Sequence, residues 1–116
     1  MLQVKNLSIS FGGLIAVNSV SLTVNANQVN GLIGPNGAGK TTFFNLISGV
    51  YKPDKGSVTF NGEQIAGKRG FEINKIGIAR TYQVINLFRN MTVIENALVG
   101  MHSRLNSGYF QLRSCF

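Results

Sequence analysis

Acidic residues are scarce in this chain of 116 residues: four carboxylates stand against eleven lysines and arginines, which gives a formal net charge of +7. The acids are Asp54, Glu63, Glu72 and Glu95. Such a balance can indicate binding to nucleic acid or to anionic lipid. The basic residues are dispersed, however, with only Lys68 and Arg69 adjacent, and no strand interleaves aromatic with basic residues as RNA-binding strands do. We therefore expect no nucleic acid among the partners.

Cysteine and long apolar segments are lacking as well. The single cysteine, Cys115, excludes an internal disulfide and a cysteine-based metal cluster. No apolar run approaches the roughly 18–20 residues that span a bilayer, and the first residues lack the basic-then-apolar pattern of a secretion signal. These absences predict one small cytoplasmic domain whose contact with a membrane would be peripheral.

Hydrophobic periodicity and turn residues divide the chain into short elements. Alternating apolar residues predict two strands, one before and one after Phe11-Gly12-Gly13. Further strands are predicted at Val29–Ile33, Ser57–Phe60 and Ile78–Tyr82, and helices after Gly39, over residues 69–76 and from Thr92. Asn61-Gly62 indicates a tight hairpin, and Thr92 with Glu95 forms a T-x-x-E capping box, in which each side chain satisfies a free backbone N–H.

One motif carries chemistry: residues 34–41, Gly-Pro-Asn-Gly-Ala-Gly-Lys-Thr, fit the phosphate-loop pattern G-x-x-x-x-G-K-[ST]. A polyphosphate needs several backbone N–H groups converging on it, and Gly34, Gly37 and Gly39 supply backbone without side chains. The following helix adds free N–H groups and a partial positive charge. Lys40 places a full charge on the β- and γ-phosphates, the Thr41 hydroxyl can ligate Mg²⁺, and the position of the loop between a predicted strand and a predicted helix supports ligand binding.

The longer string from Leu32 to Thr42 resembles the Walker A segment of ABC-transporter ATPases. Phe11 stands where that family places an aromatic residue that stacks on adenine, and Gln83 stands at its Q-loop glutamine. Three further stretches are similar to the ATPases of branched-chain amino acid importers: residues 11–17, 78–83 and 87–96. The resemblance covers residues 1 to about 104.

The resemblance implies an α/β fold, a P-loop NTPase core with an N-terminal antiparallel β-subdomain, of which residues 1–116 form the N-terminal part. The residues it implies for ATP are Phe11, Gly34, Pro35, Asn36, Gly37, Ala38, Gly39, Lys40, Thr41 and Thr42, with Lys40 and Gln83 in catalysis and Thr41 and Gln83 at Mg²⁺. It also implies transmembrane permease subunits and a second ATP-binding subunit as partners, at the cytoplasmic face of the inner membrane.

Several parts of the family's hydrolytic machinery have no counterpart in this sequence. No apolar strand ends in Asp-Glu, the Leu-Ser-Gly-Gly-Gln string is missing, and His102 lies late in the capped helix rather than at a switch position. These parts belong to the second half of the family's domain, so the chain resembles an incomplete domain of this family. We expect little hydrolysis by this chain alone, marginal stability, and association through unpaired strand edges.

Three alternatives remain open. The first is an ATPase of the same superfamily with another cargo, such as lipopolysaccharide export. The second is a non-transport P-loop protein, although Asn74-Lys75-Ile76-Gly77 lacks the aspartate of a GTPase base-reading motif and no arginine-rich kinase lid is visible. The third is a basic nucleic-acid binder without a nucleotide role, which the dispersed charge disfavours.

Overall fold

The computed structural model describes residues 1–82, 84 and 86–101. In chain order the elements are β1 (Leu2–Phe11), β2 (Leu14–Val24), α1 (Lys40–Ile47), β3 (Lys55–Phe60), β4 (Glu63–Gln64), α2 (Gly70–Ile76) and α3 (Val93–Gly100). The four strands form one antiparallel sheet in the order β2-β1-β3-β4. The predicted N-terminal antiparallel β-subdomain is therefore confirmed.

Two hairpins set the register of this sheet. Strands β1 and β2 pair from Leu2 with Val24 to Phe11 with Leu14, with irregularities between, and turn at residues 12 and 13. Strands β3 and β4 turn at Asn61 and Gly62, whose φ angles of 48° and 86° are both positive. Asn-Gly accommodates these angles readily, and they suit the two-residue turns whose twist matches that of paired strands. The predicted tight hairpin is confirmed.

In the described part of the chain, one apolar cluster joins the sheet to helices α1 and α2. Its buried members are Val4, Leu7, Ile9, Val17, Phe43, Leu46, Ile47, Val58, Ile65 and Ile73. Three of them come from α1 and one from α2, so α1 is the helix that contributes most to this core. Because α1 begins directly after the glycine-rich loop, packing of α1 on the sheet also fixes the position of that loop.

Two predicted strands are wrong. Residues 28–35, all of them described, lie outside every strand, and so do residues 78–82. Val29 and Ile33 are almost fully exposed, at 103% and 97%. A strand exists only where a neighbouring strand satisfies its backbone N–H and C=O groups, and within the described residues no strand pairs with either segment.

The helix predicted from Thr92 is confirmed as α3, but none of its described residues is buried. Among the helices in the described part of the chain, none has the length and apolar character needed to cross a bilayer.

Candidate phosphate-binding site

The glycine-rich loop is held against the first hairpin at Gly39. A Cβ atom at this position would lie 2.2 Å from the carbonyl oxygen of Ala16 in β2, and the φ angle of Gly39 is +85°. Either feature alone disfavours any other residue. Gly37 has the same φ of +85°, but a Cβ there would meet nothing within 4 Å. Gly39 is therefore required by contact and by backbone conformation, whereas Gly37 is required by conformation alone.

The loop leads directly into the start of α1. The Ala38 N–H donates to the carbonyl of Pro35 at 3.2 Å, which closes a turn, and the Phe43 N–H donates to Gly39 at 2.8 Å. No side chain caps α1, and no acidic residue lies in its first turn. An uncapped helix start presents N–H groups and a partial positive charge, which together attract an anion.

Lys40 adds a full positive charge at this point. Its Nζ donates to the carbonyl oxygens of Gly34 and Pro35 at 2.5 and 2.6 Å, so the ammonium lies across the mouth of the loop. The next residue, Thr41, is exposed, and Thr42 is half-buried. Backbone N–H groups, an ammonium and an exposed hydroxyl thus occupy adjacent positions, which is the donor set that a polyphosphate with a hydrated Mg²⁺ requires.

A cavity of about 650 Å³ opens beside the first turn of α1. It is lined by Thr41, Phe44, Arg80, Thr81, Tyr82, Val84 and Asn86. The sequence neighbours of Gln83 on both sides therefore face the same space as the Thr41 hydroxyl. Gln83 itself lies outside the described residues.

Arg80 links the cavity-lining residues 80–82 to α1 and to the residue that follows it. Its guanidinium donates to Asn45 Oδ1 at 2.6 Å and to Ser48 Oγ at 2.9 Å. The same guanidinium lies 4.9 Å from the ring centre of Tyr82. No local sequence pattern points to Arg80, because its partners are 35 and 32 residues away in the chain.

Phe11, the predicted adenine contact, ends β1 and is 44% exposed. Its ring packs edge-to-face with that of Tyr51, with centroids 5.2 Å apart and planes at 66°. Phe11 pairs with Leu14, and Ala16, which touches the loop at Gly39, lies two residues further along the same hairpin. Two strand residues span about 7 Å, so the end of the hairpin that carries Phe11 lies near the phosphate loop.

Two of the four acidic residues, Glu72 and Glu95, lie in the first turns of α2 and α3. The backbone N–H of Thr92, and then its hydroxyl, holds the pKa of the Glu95 carboxyl below its usual value, and hydrogen bonds from Arg69 do the same to the pKa of Glu72. Among the described residues, no group of three or more His, Cys, Asp or Glu side chains could hold a metal ion.

The chain is similar to known proteins over most of its length. Residues 17–114 match the ABC transporter family model. The chain is 49% identical over 110 residues to the high-affinity branched-chain amino acid transport ATP-binding protein LivG of Salmonella typhimurium. It is 48% identical over 109 residues to the corresponding protein BraF of Pseudomonas aeruginosa. These alignments cover 95% and 94% of this chain but 43% of each relative, so the chain spans less than half the length of the relatives it matches.

Solved structures give the same result for the fold. A nucleotide-free ATP-binding cassette from an ABC transporter superposes with a TM-score of 0.79 at 37% identity, covering 99% of this chain and 46% of that one. The ADP conformation of an ATP-binding cassette superposes with a TM-score of 0.80 at 38% identity, covering 98% of this chain and 45% of that one. The predicted fold class is confirmed by both.

Proposed function

The chain belongs to the ABC transporter family, and from this premise we propose that it is the nucleotide-binding part of an ATP-binding subunit that energises branched-chain amino acid uptake. The observation that supports this most directly is the uncapped start of α1, with the Lys40 ammonium held across the loop in front of it. The relatives named above are branched-chain amino acid transport ATP-binding proteins, which favours this cargo over lipopolysaccharide.

In the proposed complex the loop N–H groups and Lys40 bind the phosphate chain. The Lys40 ammonium exchanges its contacts with the Gly34 and Pro35 carbonyls for phosphate oxygens, and it neutralises charge as it develops on the transferred phosphoryl group. Thr41 would hold Mg²⁺ through its hydroxyl, and the ion would supply positive charge that offsets that of the phosphate oxygens. By resemblance to the family, Gln83 would act at the metal and the γ-phosphate, and Phe11 would stack on adenine.

We expect the complete subunit, and not this chain alone, to hydrolyse ATP. ATP hydrolysis in the family needs an apolar strand that ends in Asp-Glu, the Leu-Ser-Gly-Gly-Gln string and a switch histidine, and this sequence has none of these. The partners are transmembrane permease subunits and a second ATP-binding subunit, at the cytoplasmic face of the inner membrane. An amino-acid-binding protein encoded beside this gene would support the cargo assignment, and a neighbouring lipopolysaccharide-export permease would contradict it.

Equilibrium binding of Mg²⁺-ATP to the 116-residue chain tests the site. Lys40→Ala removes the ammonium from the loop, and we expect it to abolish binding. Lys75→Ala is the matched control, because it removes the same charge from α2 and should leave the affinity unchanged. Undiminished ATP binding by Lys40→Ala, measured by isothermal titration calorimetry, would show that the site is wrongly assigned.

A further inference from the structure

The ring of Tyr51 lies against Phe11 and is itself 38% exposed. In the edge-to-face arrangement the edge of one ring meets the face of the other, which restricts rotation of both. A lone exposed phenylalanine at a strand end would sample several rotamers, and each would present its face in a different direction. Tyr51 therefore limits the directions in which Phe11 can offer a stacking surface.

The backbone of Tyr51 is fixed by the same helix that begins at the phosphate loop. The N–H groups of Val50 and Tyr51 both donate to the carbonyl of Asn45 in α1, at 2.9 and 3.2 Å. The start of α1 touches Ala16 through Gly39. Tyr51 is thus connected to the loop through one short, packed helix, and it lies at the opposite end of that helix from Lys40.

The end of β1 is fixed to the segment that follows Tyr51. Asp54 Oδ2 accepts hydrogen bonds from the backbone N–H of Ser10 at 2.8 Å and from the Ser10 hydroxyl at 3.0 Å. The Asp54 N–H donates to the carbonyl of Ser8 at 2.9 Å. Ser10 immediately precedes Phe11, so both aromatic residues are attached to backbone that three hydrogen bonds hold together.

We propose that Tyr51 is a positioning residue that fixes the ring plane of Phe11 for stacking on the base of a bound nucleotide. This inference rests on the proposed function, since it assumes that the loop holds the phosphates of the same ligand. It assigns the loop and the aromatic pair to different parts of that ligand. Tyr51 then contributes to affinity for a nucleoside triphosphate and contributes nothing to affinity for inorganic tripolyphosphate, which has no base.

The experiment compares Mg²⁺-ATP with Mg²⁺-tripolyphosphate on the wild-type chain, Phe11→Ala, Tyr51→Phe, Tyr51→Leu and the double variant Phe11→Ala/Tyr51→Leu. Tyr51→Phe keeps the ring and should bind both ligands as the wild type does. Tyr51→Leu keeps apolar bulk without the flat ring, and should weaken ATP binding roughly two- to tenfold, the range expected for an aromatic pair. Tripolyphosphate affinity should not change in any of these variants.

The double variant separates positioning from a merely structural role. If Tyr51 acts through Phe11, the double variant should bind ATP no more weakly than Phe11→Ala alone. Equal losses of ATP and tripolyphosphate binding in Tyr51→Leu, additive losses in the double variant, or no loss at all would each overturn the inference. A wild-type chain that binds neither ligand would instead overturn the proposed function, and the inference with it.

Discussion

Helices α1 and α3 each contain eight residues, yet they are held by different forces. Helix α1 has no side-chain cap and no acid in its first turn, and it buries Phe43, Leu46 and Ile47. Helix α3 buries none of its described residues, but it starts with a complete capping box. Tertiary packing stabilises the first helix, and local hydrogen bonds stabilise the second.

The difference explains which helix start is available to a ligand. In α3, the Thr92 N–H donates to Glu95 Oε2 at 2.6 Å and the Glu95 N–H donates to Thr92 Oγ1 at 3.3 Å, so the chain's own side chains occupy the helix start. In α1 the corresponding N–H groups have no capping side chain. A helix that gains its stability from burial can leave its first turn open to an external anion, and α1 does so.

The largest expected effect comes from removing the same side chain from both helices. Leu46 is 1% exposed and Leu98 is 48% exposed. Leu46→Ala should lower the free energy of unfolding by about 2–5 kcal/mol, because it leaves a cavity in the core. Leu98→Ala should change it by less than about 0.5 kcal/mol, as is usual for surface positions. Urea unfolding followed by circular dichroism measures both.

The two variants change helix propensity equally, so propensity cancels from the comparison. Equal losses of stability in Leu46→Ala and Leu98→Ala would mean that α3 is packed as α1 is, and the contrast between the helices would fail. A loss of about 3 kcal/mol is a large share of the 5–15 kcal/mol typical of native domains. If the chain is as marginally stable as its sequence predicts, the Leu46→Ala variant should be substantially unfolded without denaturant.

A smaller and more local effect is expected from the two glycines of the loop. Gly39→Ala places a methyl group against the carbonyl of Ala16 and forces α1 away from the hairpin. We expect it to lose ATP binding and to destabilise the fold. Gly37→Ala has the same unfavourable φ but no steric contact, so it should cost about 1–2 kcal/mol and retain weaker binding. Equal ATP affinity in the two variants, measured by calorimetry, would contradict the contact between loop and hairpin.

Local patterns in the sequence were sufficient for much of the fold and for the loop. The Asn61-Gly62 turn, the Thr92–Glu95 box and the helix after Gly39 are each specified by residues within a few positions of one another, and all three are present. The strand predicted at Val29–Ile33 is absent because a strand needs a partner, and alternation or apolar character alone cannot supply one. The prediction of association through unpaired strand edges stays open.

Contacts between distant residues were the part that the sequence could not reveal. Arg80 reaches Asn45 and Ser48, and Asp54, which in the sequence is only a turn residue, holds the end of β1. Tyr51 has no motif of its own, and its contact with Phe11 joins two residues that are far apart in the chain. The roles of the site residues, Gln83 included, stay predictions that the binding experiments above address.

The smallest expected effect is a pH dependence confined to α3. Hydrogen bonds from Thr92 lower the pKa of Glu95 from its ordinary value of 4.5. A carboxyl whose pKa is lower in the folded state contributes its full stabilisation above the unfolded pKa and loses it as the pH falls through the folded value. Helix α3 should therefore be intact at neutral pH and should fray progressively below about pH 4.5, where protonation weakens the cap.

Glu95→Gln provides the control, because the amide oxygen can still accept the Thr92 N–H but does not titrate. The backbone amide resonances of residues 95–100 should shift with pH below 4.5 in the wild type and stay constant in Glu95→Gln. Glu72, whose pKa is also lowered, is present in both chains, so the difference between them isolates Glu95. Identical titrations in the two chains would show that α3 does not depend on its cap. Capping would then no longer explain why the first turn of α1 is open and that of α3 is not.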